Sequence, residues 1–183
     1  MITRLKSWLA PPVFPADEEK TRVAGVLHTL LLAILAGLST FIVFIWILPD
    51  ISALRLIVIG PLFTVALALL LLMHRGYVRL ASVVLSIGLW AAATALCVIA
   101  GGVRAPVFSG YLIVVLSAGV LLGWRAALGF AGLSLVTSLA LLYATNADLL
   151  PTPFYGHTNT SIGITQLIFL FWGTVVLSLA RRS

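Results

Sequence analysis

The sequence predicts an all-α membrane protein, a bundle of six transmembrane helices with both termini in the cytoplasm. Hydrophobic residues make up 62% of the 183 residues and charged residues only 9%, whereas a soluble domain carries about 25% charged residues. The apolar residues fall into six runs, each close to the roughly 20 residues that a helix needs to cross the hydrocarbon core. No run alternates apolar and polar residues with a period of two, which excludes the strands of a membrane β-barrel.

Turn-like residues separate the six runs. Pro49 ends the first run, because proline disfavours a helical conformation in the residue before it. Glycines mark the turns near Gly76, Gly101 and Gly123, and a longer polar loop with two prolines covers residues 145–159. The predicted spans are residues 23–48, 53–73, 78–100, 106–122, 126–144 and 161–180.

The basic residues predict the orientation. If the N-terminus is cytoplasmic, nine of the 11 Lys and Arg residues lie inside, and only Arg55 and Arg104 lie outside. Basic residues in short loops resist translocation, so this asymmetry places both termini in the cytoplasm. We therefore predict an interfacial cytoplasmic segment over 1–22, a transmembrane domain over 23–180, and a cytoplasmic end over 181–183. We expect that end to begin a connector to an output domain that the sequence lacks.

The residues before the first span predict an interfacial helix and a helix start. Ile2, Leu5, Trp8 and Leu9 share one helical face, as in a helix lying on the cytoplasmic leaflet. The three acidic residues at 17–19 complement the positive end of a helix dipole. We expect the first long helix to begin at these acids and to enter lipid only later.

The sequence predicts no catalytic residue, no metal and no cofactor. The single cysteine, Cys97, lies inside an apolar run. His28 and His74 fall on the same side of the membrane and could in principle hold a haem. We prefer to interpret both as interfacial anchors, because a bis-histidine site needs opposed, deeply placed imidazoles. The net charge of +6 indicates no nucleic-acid partner, since the basic residues sit in short groups between apolar runs.

Four residues are candidates for binding a ligand. Arg104 lies at an outer helix end, where it could meet an anionic ligand or extend its charge to the headgroups as a simple anchor. Trp90 and Tyr111 are the aromatic residues predicted to lie deeper than the interfacial belts. Gln166 lies inside the last apolar run, and its amide has four hydrogen-bonding positions to satisfy, so we expect it to face protein or a cavity.

A stripe of small residues predicts close helix packing on the first span. Gly25, Thr29, Ala33 and Gly37 recur every four residues, a spacing that lets two membrane helices approach closely. The stripe leaves open whether the neighbour is internal or a second copy. The partners that we expect are the lipid bilayer, a second copy in a homodimer, and an unidentified small-molecule or membrane stimulus.

Several stretches resemble the N-terminal membrane region of bacterial multi-domain sensor histidine kinases. They are residues 9–14, 17–22, 101–106, 110–112, 122–126, 132–134 and 179–183. The resemblance implies a non-catalytic sensory or anchoring region of a two-component receptor in the bacterial inner membrane. The kinase domain, with its phospho-accepting histidine and nucleotide-binding glycines, lies outside this sequence, so no enzymatic activity is implied. The alternative is a small oligomeric membrane transporter or carrier subunit.

Overall fold

The computed structural model describes residues 10–15, 17–47, 54–151 and 159–182. Within these residues the chain is all-helical, with six α-helices, two short 3-10 helices and no strand. This confirms the all-α part of the predicted fold class. The predicted interfacial helix over residues 2–9 and residues 152–158 of the long loop over 145–159 lie outside the described residues.

The helix bounds follow the predicted spans closely. Helices α1 to α3 correspond to the first three apolar runs, and α5 and α6 to the last two. Helix α4, of the fourth run, is shorter and follows the two 3-10 helices η1 and η2. Their bounds are α1 Glu18–Ile47, α2 Leu54–His74, α3 Val78–Ile99, η1 Gly102–Arg104, η2 Pro106–Ser109, α4 Gly110–Leu122, α5 Trp124–Asn146 and α6 Asn159–Arg182.

Three helical stretches in the described residues are long and apolar enough to cross a membrane: Glu18–Ser39, Val78–Ile99 and Trp124–Asn146. Three shorter apolar stretches accompany them: Gly60–His74, Pro106–Leu122 and Gln166–Ser178. Within the described residues, three helical stretches are therefore both long and apolar enough to cross a membrane, where the sequence predicted six spans. Physically, the fourth run differs most from its prediction, because its first turn is the 3-10 helix η2 and its α-helical part has only 13 residues.

The chain divides into two compact units, Met1–Ala81 and Ser82–Ser183. In the first unit α1 packs against α2. Buried residues recur at three- and four-residue steps on both helices, as expected for a packed helical seam. These residues are Ala24, Leu27, Leu30 and Leu31 on α1, and Ala66, Leu69, Leu70 and Met73 on α2.

The start of α1 is fixed by hydrogen bonds from its first turn. The Lys20 amide donates to Asp17 Oδ1 at 2.8 Å, which makes Asp17 the N-cap of the helix. The Thr21 hydroxyl donates towards the carbonyls of Phe14 and Asp17 at 3.1 and 3.0 Å, and it accepts from the Phe14 amide at 2.9 Å. The helix thus begins at the predicted acidic residues, with the preceding segment tied to its first turn.

In the second unit α4 packs against both α5 and α6. Gly123 is the single residue between α4 and α5, and its φ of +90° is open to glycine at little cost. Just before this turn, a Cβ on Gly119 would lie 3.3 Å from the Cβ of Ala127. Small residues therefore face each other near this turn, which lets α4 and α5 approach closely there.

The predicted turn after α3 needs glycine for two reasons. Gly102 has a φ of +75°, and a Cβ at this position would collide with Thr145 Oγ1 and lie 2.7 Å from Leu150 Cδ1. Its neighbour Gly101 also has a positive φ, of 96°. Together the glycines let η1 pack directly against the end of α5.

Candidate functional site

A chain of hydrogen bonds joins α3 to α4 inside the second unit. The hydroxyls of Tyr111 and Thr94 are 2.8 Å apart, and Thr94 Oγ1 donates to the Trp90 carbonyl at 2.9 Å. A threonine hydroxyl carries one proton, so the Tyr111 hydroxyl must donate to Thr94 when Thr94 donates to Trp90. Trp90 and Thr94 are one helical turn apart, which places both on the face of α3 that meets Tyr111.

Apolar side chains surround this chain and keep it away from the surface. Tyr111 is only 6% exposed and belongs to a buried cluster with Ala93, Cys97 and Leu141. Trp90 packs against this cluster, and Phe108 meets the Tyr111 ring edge-on at a centroid distance of 5.6 Å. The Trp90 indole Nε1 is buried without a hydrogen-bond partner among the described residues. The cluster therefore contains one satisfied hydroxyl and one indole donor with no acceptor.

The last helix contacts the residues just before Tyr111. Gln166 on α6 donates from Nε2 to Ser109 Oγ, in a long hydrogen bond of 3.4 Å. One helical turn further on, the Phe169 ring lies 3.3 Å from where a Gly110 Cβ would stand. Gln166 is exposed, so its amide finds a protein partner at the surface of the unit and is not enclosed. Glycine at position 110 permits the close approach of α6.

Arg104 is set apart from the other three candidates. It ends η1, and its side chain is exposed. The structure thus brings Trp90 and Tyr111 to one cluster and Gln166 to the residue before Gly110. Ligand binding by any of the four stays a prediction.

The two histidines meet in the first unit. His28 is 3% exposed, and its ring meets that of His74 at a centroid distance of 6.0 Å and an angle of 65°. His74 Nδ1 lies 2.9 Å from the Leu70 carbonyl oxygen. His28 is therefore buried in the seam between α1 and α2, where the sequence had suggested an interfacial anchor. No group of three or more His, Cys, Asp or Glu residues in the described part of the chain is arranged to hold a metal ion.

Sequence reasoning missed Thr94 and Ser109 as site residues. The available signal was spacing: Trp90, Thr94 and Cys97 recur at helical intervals, so they had to share a face of α3. Ser109 carried no such signal, because its role depends on α6 folding back against η2. Comparison with known protein families, with characterised proteins and with solved structures finds no match for this chain.

Proposed function

We propose that this chain is the membrane-embedded sensory input region of a two-component-type receptor in a bacterial inner membrane. The proposal includes six membrane-spanning helices, both termini in the cytoplasm and no chemistry in this segment. The observation that carries it is the docking of α6 on the segment between Arg104 and Tyr111, through Gln166, Ser109 and Phe169. A shift of Tyr111 or of the residues just before it would therefore act on α6 through Ser109 and Gly110.

The lengths of the other three helices, α2, α4 and α6, support a placement of these helices across the bilayer as well. The 3-10 helix Pro106–Ser109 and the α-helix Gly110–Leu122 are consecutive. At about 2.0 and 1.5 Å per residue they extend together for about 28 Å. Helix α2 has 21 residues and α6 has 24, which gives about 32 and 36 Å. The hydrocarbon core is about 30 Å thick.

Exposed side chains support the same placement. Trp124 and Tyr143, near the two ends of α5, are 68% and 72% exposed, and they lie about 28 Å apart along the helix axis. Aromatic residues favour the two membrane interfaces at this separation. Between them Leu128, Leu135 and Val136 are more than 60% exposed, and lipid would cover these side chains at no hydrophobic cost.

The open face of α1 is compatible with the proposed homodimer. A Cβ on Gly25 or Gly37 would meet nothing within 4 Å, so no described residue covers these two positions of the small-residue stripe. A second copy on this stripe stays a prediction.

The signalling route is tested by fusing the chain in register to a kinase output domain. Insertion of one to three alanines after Ala180 turns the output domain by about 100° per residue. We expect kinase activity to oscillate with the number inserted, because α6 is one continuous helix from Asn159 to Arg182. Kinase activity that does not depend on the number of inserted alanines would indicate that α6 serves only as a membrane anchor.

A second set of variants tests the contact that carries the proposal. Gln166→Ala and Ser109→Ala each remove one partner of the same hydrogen bond, so each should shift the kinase output, and the double variant should shift it no further. Ser178→Ala is the matched control on α6, because its hydroxyl donates to the Val175 carbonyl of its own helix. Equal output from all of these variants would contradict a route through Ser109.

A further inference from the structure

Three basic residues from three elements of the first unit lie around the turn between α2 and α3. Lys20 is in the first turn of α1, Arg75 directly follows α2, and Arg79 is in the first turn of α3. The Lys20 Nζ lies 3.8 Å from where a Cβ on Gly76 would stand, so the ammonium group reaches the turn between the two arginines. Both arginines are exposed. The turn therefore presents positive charge to whatever lies outside the chain.

The Lys20 side chain is held at this turn by the segment before α1. Its ammonium group lies over the Phe14 ring, 4.5 Å from the ring centroid. Phe14 is itself tied to α1 by Thr21, whose hydroxyl accepts from the Phe14 amide at 2.9 Å and lies 3.1 Å from the Phe14 carbonyl oxygen. A lysine normally loses rotamer freedom when it binds an anion. Here part of that freedom is already lost before an anion arrives.

The acidic residues of this part of the chain are confined to the start of α1. They are consecutive, at positions 17–19, and Asp17 accepts from the Lys20 amide as the helix cap. Residues 54–81, which include α2, the turn and the start of α3, contain no Asp or Glu. Arg75 and Arg79 therefore have no acidic neighbour on their own elements.

An exposed apolar stripe leads along α2 to the basic turn. Leu67 and Leu71 are 41% and 44% exposed. Arg75 follows at the same four-residue spacing, and its amide donates to the Leu71 carbonyl at 3.0 Å, so the three residues share one helical face. Beside them Tyr77 is 59% exposed, as is common for tyrosines at a membrane interface. The stripe changes from apolar to basic at its end, in the same order as a phospholipid changes from acyl chain to phosphate.

We propose that the turn between α2 and α3 binds one anionic phospholipid, with its phosphate among Lys20, Arg75 and Arg79. An acyl chain of this lipid lies along Leu67 and Leu71. A guanidinium group can donate two parallel hydrogen bonds to a phosphate, and an ammonium group adds a compact charge. The lipid is anionic because the cation of a zwitterionic headgroup would be repelled by the three basic residues. This site requires the proposed membrane placement and is independent of the sensory role.

The test measures lipid binding to the full chain, purified in a non-ionic detergent, by native mass spectrometry. The probe is phosphatidylglycerol, and phosphatidylcholine with the same acyl chains is the reference lipid. We expect one phosphatidylglycerol to bind more tightly than the reference. Lys20→Gln, Arg75→Gln and Arg79→Gln should each weaken its binding about fivefold, the effect of one basic residue beside an anionic lipid surface. Binding of phosphatidylcholine should not change.

Two further variants separate a site from general attraction between charges. Arg125→Gln is the matched control, because Arg125 is also exposed and predicted to be cytoplasmic but lies on α5, beside Trp124. This variant should bind phosphatidylglycerol as the parent does. Phe14→Leu keeps every charge and removes the ring that positions the Lys20 ammonium group. It should weaken phosphatidylglycerol binding about twofold.

Three results would overturn the proposal. The first is equal affinity for the two lipids, and the second is an Arg125→Gln variant that loses as much affinity as Arg75→Gln, which would reduce the effect to net charge. The third is competition by glycerophosphoglycerol, the same headgroup without acyl chains, at the concentration of the lipid, which would assign the turn to a soluble phosphate.

The failure of this site and of the membrane placement can be told apart. A chain that sediments with the membrane fraction but shows no preference for phosphatidylglycerol would refute the lipid site alone. A chain that remains in the soluble fraction would contradict the membrane placement and the lipid site together. Kinase activity of the fusion that does not depend on helix phase would contradict only the sensory role.

Discussion

The hydrogen-bond chain from Tyr111 through Thr94 to the Trp90 carbonyl makes an asymmetric prediction about stability. Thr94→Val removes the acceptor of the Tyr111 hydroxyl and keeps the shape of the side chain. Tyr111→Phe removes the donor and leaves Thr94 still bonded to Trp90. The two substitutions break the same contact, but only the first leaves a buried donor without an acceptor.

The expected magnitudes follow from that difference. Tyr111 is 6% exposed, so its unpaired hydroxyl has little access to another partner, and Thr94→Val should lower the free energy of unfolding by about 1–3 kcal/mol. Tyr111→Phe should cost about 0.5–1.5 kcal/mol, the net value of one hydrogen bond. The double variant should be more stable than Thr94→Val alone, because replacing both partners by apolar groups removes the unpaired donor.

Thermal unfolding of the purified chain in detergent, followed by intrinsic fluorescence, measures these differences. Thr137→Val is the control, since the Thr137 hydroxyl donates to the Leu133 carbonyl of its own helix in an exposed position. We expect the control to differ from the parent by less than about 0.5 kcal/mol. If Thr94→Val were no less stable than Thr137→Val, or if the double variant were the least stable of all, the Tyr111–Thr94 contact would not be a buried hydrogen bond.

Two further predictions concern the turn after α3 and the orientation. Gly102→Ala should destabilise the chain by about 2–4 kcal/mol, because Gly102 has a positive φ and a Cβ there would collide with Thr145. Gly132→Ala is the control: a Cβ at Gly132 would have nothing within 4 Å, so this variant should be neutral or stabilising in the same unfolding assay. Equal effects of the two substitutions would contradict the turn geometry. In a chain without Cys97, a cysteine at Thr152 should react with an impermeant reagent in intact cells and one at Thr3 should not; the reverse pattern would overturn the orientation.

The positions of the helices could be predicted because the apolar runs and their breaks are local signals. Gly123 forms the turn between α4 and α5, and Asp17 caps the first helix at the predicted acids. The structure of the fourth run could not be predicted in this way. Pro106 was placed at the start of a span, but a proline and the following residues fit a 3-10 turn as well as an α-helix, and composition does not distinguish the two.

The candidate site was predictable only in part, for a related reason. Trp90 and Tyr111 were predicted to lie deeper than the interfacial belts, and their depth in a membrane stays a prediction. In the structure Tyr111 belongs to a buried cluster and the partly buried Trp90 packs against it. Their connection depends on Thr94, and a threonine hydroxyl on a helix can equally bond to the preceding turn, as Thr145 does with the Leu141 carbonyl. Ser109 became a partner of Gln166 through tertiary packing alone. Pairing between helices is decided by side-chain directions in three dimensions, which a one-dimensional pattern does not contain.

Contacts from α3 and from α6 meet around Tyr111, at the start of α4. The Tyr111 hydroxyl is bonded to α3 through Thr94, so the position of this side chain is held by α3. The residues immediately before Tyr111 contact α6 through Ser109 and Gly110. Pressure on the Tyr111 ring would thus act on the start of α4 and, through its packing, on the helix that the proposed function requires to move.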